Sequence, residues 1–259
     1  YYHGGTFDGT AGTVGIETAP KVYVVFWGSQ WNNNDPSGEA ALLTSFFSSA
    51  GGSSWLNTVT QYCQTVGSGT VFCNGSGAPA GNQAGMFAGS WYDTSSAPAH
   101  PKQSQLAAEA VRAAAHFGNT SASSNATVQY VIATANGYNS PGFGSQFCAW
   151  HSSTSSSYGD VAYTNLPYIT DAGASCGANF NSLGQNAGIT IVAGHEFAET
   201  ITDQFPSTGW LDGTGEEIGD KCAWNSTTSA QPFGATSYPV QPLWSNAANG
   251  GAGGCVLSY

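Results

Sequence analysis

The stretch GITIVAGHEFAETIT, residues 188–202, decides how this chain is read. Gly188 to Gly194 is apolar and asks for burial, while the second half carries His195, Glu196 and Glu199. An apolar run that turns chemically loaded without a Pro or a turn signal predicts one helix. Residues four apart on a helix share a face, so His195 and Glu199 can offer an imidazole nitrogen and a carboxylate to one point. Glu196, rotated by about 100° from His195, can reach a water held there.

Outward from this helix the charge stays dense. Glu196, Glu199, Asp203, Asp212, Glu216, Glu217 and Asp220 are close together in a chain that holds only fifteen Asp and Glu in all. Elsewhere the chain is nearly uncharged: 7% of its residues are charged, against about 25% in ordinary soluble domains. Carboxylates concentrated around one His make physical sense with a divalent cation or with protons to offset them.

The same composition excludes partners. Lys and Arg together number four and the net charge is −11. Nucleic acid and anionic membrane surfaces need clustered cations, so neither is expected as a partner. No stretch approaches the roughly 20 apolar residues of a membrane span. No basic segment precedes an apolar one and Tyr1 is not an initiator Met, so the chain reads as a mature, processed form. Cys63, Cys73, Cys148, Cys176, Cys222 and Cys255 make an even set without a Cys-x-x-Cys pair, which points to three disulfides in an oxidising, extracellular setting. Fifteen connectivities are possible; the sequential one, 63–73, 148–176 and 222–255, is the expectation.

The remaining segments predict one α+β domain over residues 1–259, a mixed β-sheet with packed helices. Lys21 to Gly28 and Val128 to Ala135 are β-branched and aromatic, as buried strands are. Phe147 to His151 and Val161 to Tyr168 predict shorter strands, with the Ser152–Ser157 run as a loop between them. Asp35 to Glu39 reads as a helix start followed by a helical pattern over Ala40 to Ser48, and further helices are expected from Ser53 to Tyr62 and over Pro101 to Phe117. A short one is expected over Glu216 to Trp224. Residues 64–100 show no clear period and read as irregular or as a set of short strands, and Trp244 and Val256 fall in terminal strands.

His195 and Glu199 with an intervening Glu196 follow the logic of His-Glu-x-x-His metallopeptidases, with Glu in the second ligand position. Thermolysin-like zincins draw a further Glu from a downstream helix at about the separation of Glu217. Glu217 is therefore the first choice for third ligand, with Asp220 as an alternative or as the acceptor that orients His195. An open Zn²⁺ site polarises a carbonyl and activates water, and Glu196 can act as the general base. Ca²⁺ as a structural ion suits the carboxylates, but His195 argues against it.

Ala193-Gly194-His195-Glu196-Phe197-Ala198-Glu199, then Gly209-Trp210, then Glu217-Ile218-Gly219-Asp220-Lys221-Cys222 resembles the core of the EXORDIUM, or phosphate-induced, family. Tyr2-His3-Gly4-Gly5, the strand Val22 to Gly28, Trp55 to Tyr62 and Phe147-Cys148 with His151 extend the resemblance in the same order. It implies a secreted or cell-wall location and the cysteine framework above, and brings no settled reaction. The chain differs from plant members in a shorter C-terminus and in lacking a Gly-rich insertion after the Cys222 position.

Three further residues carry expectations. His151, at a strand end, can donate to a transition-state oxyanion. Trp210, between the acidic clusters, can floor a substrate cleft. His3 can fold over the site. His100 is expected at the surface and His116 in the core. Together these predict a secreted, monomeric, zincin-like metallohydrolase acting on polypeptide or a cell-wall polymer. Two alternatives stand beside it. One is an acid carboxyl peptidase in which clustered carboxylates share a proton; the other is a non-catalytic wall- or glycan-binding protein with a structural ion.

Overall fold

The computed structural model describes residues 1–3 and 15–259. In chain order β1 spans Lys21–Trp27, α1 Glu39–Ala50, β2 Cys63–Gln64, β3 Ala78–Pro79, β4 Phe87–Asp93 and α2 Gln103–His116. There follow α3 (Ala122–Asn125), β5 (Val128–Thr134), β6 (Trp150–Ser156), β7 (Gly159–Leu166) and α4 (Ala187–Thr202). The C-terminal part holds β8 (Ser229–Phe233), β9 (Thr236–Val240), β10 (Leu243–Ser245), α5 (Ala248–Gly251) and β11 (Gly254–Val256).

The main sheet is mixed, in the order β4-β1-β5-β7-β6. The pairs β1–β4, β1–β5 and β5–β7 are parallel, and the edge strand β6 runs antiparallel to β7. Parallel neighbours need crossovers, which α1 and α2 provide. β1 and β5 sit inside the sheet with helices on both faces, which is why their apolar runs barely alternate. On one face Leu106, Ala110 and Ala114 of α2 pack against Tyr130, Ile132 and Tyr163. On the other, Val24, Phe26 and Val131 meet Leu43, Phe46, Phe197 and Ile201 of α1 and α4.

α4 is the centre of the molecule. Fifteen of its residues are buried and only His195 is partly exposed. A helix that is apolar nearly all round has to be enclosed, and here the β8–β9 hairpin covers what the sheet does not. Thr190 Oγ1 donates to the Pro239 carbonyl at 2.6 Å, joining helix and hairpin. Gly194 allows a close approach: a Cβ there would stand 3.1 Å from the Trp55 ring and 3.2 Å from Phe46.

All three disulfides follow the sequential pairing, Cys63–Cys73, Cys148–Cys176 and Cys222–Cys255. The second ties the segment before β6 to the 3-10 helix Ile169–Cys176, and the third ties the 3-10 turn Asp220–Cys222 to β11. Among the described residues no helix is long and apolar enough to cross a membrane.

Several local expectations differ. The Ser152–Ser157 run is largely strand, β6, because pairing to β7 overrides the turn preference of Ser. Of the two readings of residues 64–100, the short strands are present, β3 and β4, and the burial of β4 alternates at the sheet edge. Ser53 Oγ accepts from the Leu56 amide at 3.1 Å, but the helix that follows is 3-10, Leu56–Gln61, and its N-cap is Trp55. Only Asp220–Cys222 is helical in the stretch expected to form a helix over Glu216 to Trp224. His100 is exposed as expected; His116 is also exposed, not in the core, and stacks on Trp91 at 4.0 Å. Gly4 and Gly5 lie outside the described residues.

Candidate metal centre

α4 brings His195 and Glu199 together as the spacing requires, with Nε2 and Oε2 3.1 Å apart. The turn after Glu217 then closes over them. The amides of Gly219 and Asp220 donate to Glu199 Oε1 at 3.1 and 2.9 Å. Those bonds occupy one oxygen of Glu199 and turn the other toward His195. The same turn sets Asp220 Oδ1 3.5 Å from His195 Nε2. Gly219 has an ordinary helical backbone (φ −81°), so its lack of a side chain is a matter of space. A Cβ there would stand 2.7 Å from Glu199 Oε1 and 2.9 Å from His195 Nδ1.

Gln241, just past β9, fixes the state of His195. Its Nε2 donates to the Gly219 carbonyl at 2.7 Å, so its Oε1 is the atom 3.1 Å from His195 Nδ1. An amide oxygen only accepts, and the proton therefore sits on Nδ1. His195 Nε2 then presents a lone pair to two carboxylates unless a second proton or a cation stands between them. This is the arrangement that prepares an imidazole as a metal ligand. The orienting acceptor is Gln241, not Asp220.

Glu217 lies elsewhere. Both of its oxygens are 3.0 Å from His151 Nε2, and His151 Nε2 is 3.8 Å from Glu199 Oε2. Two groups with metal-ligand potential result, His195–Glu199–Asp220 and His151–Glu199–Glu217, each with donor atoms within 4.8 Å of one another and with Glu199 in both. The His195 group thus takes in Asp220 and leaves Glu217 to His151.

Burial and charge strain these groups in opposite directions. Burial alone would lower both imidazoles, but Glu217 pushes His151 up to about 10, and Glu199 and Asp220 hold His195 well above its ordinary value. Burial raises Glu217. Burial, helped by Glu199, pushes Glu196 up to about 8. Asp220 is held low, first by its bond to His195. Glu196 is 4% exposed and its carboxylate has no hydrogen-bond partner among the described residues.

The His195 group opens on a cleft of about 350 Å³. His195, Glu196, Asp220 and Gln241 lie on its floor, with Phe147, Ile191 and Trp224 among its walls. His151 and Glu217 are not on that wall; they sit behind Glu199. Trp210 is not there either. It is 5% exposed, edge-on to Tyr62 at 5.2 Å, with its amide on the Thr202 carbonyl at 2.8 Å. It is a packing residue, and the tryptophan at the cleft is Trp224, which is 42% exposed. His3 is exposed, its amide bonded to the Gly209 carbonyl at 2.8 Å.

The donor set suits a small divalent ion. Tetrahedral zinc with bonds of about 2.0–2.1 Å sets its donors about 3.3 Å apart, and the 3.1 and 3.5 Å spacings around His195 Nε2 are close to that. No protein-family model matches the chain, and neither a curated protein nor a solved structure matches it significantly.

Proposed function

We propose that this chain is a secreted metal-dependent hydrolase, with zinc as its ion and polypeptide as its substrate class. The observation that carries the reading is the His195 Nε2 facing Glu199 and Asp220 at the cleft, beside a Glu196 carboxylate without a hydrogen-bond partner among the described residues. His195, Glu199 and Asp220 would hold the ion. Bound there, a zinc ion supplies a polarised carbonyl and a water acidic enough to ionise near neutral pH.

Glu196 would serve as the general base, taking a proton from the attacking water and returning it to the leaving amine. Its burial-raised pKa of about 8 means that a nearby cation is needed to keep it ionised at neutral pH. Gln241 keeps the His195 proton on Nδ1 throughout. His151 enters the proposal as support behind Glu199 and not as an oxyanion donor, because its Nε2 is occupied by Glu217.

Substrate class follows from the cleft lining. No Lys or Arg is among the lining residues, which disfavours phosphate esters. Apolar Phe147, Ile191 and Trp224 alternate with Ser145, Gln146 and Ser175, a mixture suited to an uncharged peptide. Three disulfides, low charge and the EXORDIUM resemblance support export.

The test is turnover of unstructured peptides before and after chelation. Inactivation that zinc reverses is expected, with Glu196→Gln losing at least about 100-fold in kcat while still binding zinc. Chelator-resistant cleavage peaking in acid would favour the carboxyl peptidase instead. No turnover by the wild type, with retention on polysaccharide, would favour the binding protein.

A further inference from the structure

We infer that the chain holds a second cation site behind the first, made by His151, Glu217 and the shared Glu199, and that it takes a divalent transition-metal ion. The inference rests on the metal reading above and extends it.

His151 sits on edge strand β6, register partner of Thr164 on β7. Its side chain is 4% exposed. Its Nδ1 is buried without a partner among the described residues. Its Nε2 faces both Glu217 oxygens at 3.0 Å and Glu199 Oε2 at 3.8 Å, the same oxygen that His195 Nε2 approaches. The two imidazoles do not fall into one group of mutually close donors, so a single ion does not serve both.

Geometry and charge agree. Nε2 stands 3.0 Å from both Glu217 oxygens. A single N–H prefers one linear acceptor, whereas an ion with bonds of about 2.0–2.2 Å spans all three atoms. Glu196, Glu199, Glu217 and Asp220 carry four negative charges when ionised. No Lys or Arg forms an ion pair with any of them among the described residues; the nearest in sequence, Lys221, has its Nζ on Asp212 at 2.6 Å and 4.4 Å above the Trp244 ring. One imidazole with two carboxylates suits Zn²⁺ or Mn²⁺ better than the all-oxygen preference of Ca²⁺. Shared carboxylates between adjacent ions are the usual construction of two-metal hydrolytic sites.

The experiment is a Zn²⁺ titration of chelator-stripped protein by calorimetry, with metal content measured after gel filtration. Two zinc ions per chain are expected for the wild type. Glu217→Gln should bind one, and Asp220→Asn should keep the inner ion while its outer site weakens at least about tenfold. His151→Gln, checked for folding by near-UV circular dichroism, should repeat the Glu217→Gln result if the loss is one of ligation. One ion in the wild type, with affinity unchanged in Glu217→Gln, overturns the inner site and leaves the proposed function standing. No ion at all overturns both.

Discussion

Replacing Gln241 by Met removes the acceptor from His195 Nδ1 while conserving side-chain volume. The backbone carbonyl of residue 241 keeps its bond from Trp55 Nε1, 2.8 Å in the wild type, so the end of the β8–β9 hairpin stays pinned. What is lost is the 3.1 Å contact to His195 and the 2.7 Å bond to the Gly219 carbonyl. Gln241 is 3% exposed, so water does not readily replace it. A buried donor left without an acceptor costs about 1–3 kcal/mol, and about 1.4 kcal/mol is one decade in affinity. The expected result is zinc binding weakened by about 10- to 100-fold, the range typical of such supporting contacts. Competition against a chromogenic chelator measures it directly. A dissociation constant within about threefold of wild type would show that the imidazole needs no orienting partner, and the tautomer argument would fall.

Gly219→Ala is allowed by its backbone but places a Cβ 2.7 Å from Glu199 Oε1; zinc affinity should fall at least about tenfold with near-UV circular dichroism unchanged, and an unaltered affinity would deny that the turn is fitted to the site. Trp224→Ala should raise KM a few-fold with little change in melting temperature. Trp210→Ala should instead lower stability by about 3–5 kcal/mol, seen in urea titrations, and leave KM alone. For the metal-free protein the pH dependence has a definite sign. Burial lifts Glu39 and Glu196 from 4.5 to about 8, and His151 rises from 6.5 to about 10 when Glu217 outweighs the opposing effect of burial. A raised group contributes stability that is whole below its unfolded value and is lost as pH climbs through the folded one. Melting temperature should therefore decline from about pH 5 to about pH 10, with Glu39→Gln lifting the alkaline end; a rise over that window would refute the assignment.

Much of this could be read from the chain because it was written in dense local signals. α4 combines an apolar run with two ligand types at helical spacing, and β1 and β5 are β-branched strands shielded on both faces. The disulfide pairing also followed the expected order. What stayed hidden depends on direction and on distant chain. Spacing alone places both Glu217 and Asp220 near α4, yet the turn Asp220–Cys222 points the first at His151 and the second at His195. Gln241 is a lone amide 46 residues after His195, without a motif to mark it. The serines of β6 carry turn preferences that only the pairing with β7 defeats. Trp210 and Trp224 are chemically alike in sequence, and only packing separates the buried ring from the one at the cleft.

Cys222–Cys255 closes the segment that delivers Asp220 and the two amides on Glu199, while Cys148–Cys176 fastens the opposite wall of the cleft. Neither bridge belongs to the sheet. Material made in a reducing cytosol can therefore be folded at its centre and still lack a working pocket, so a preparation that looks sound by far-ultraviolet spectroscopy has to be assayed for thiols before inactivity is blamed on the wrong substrate.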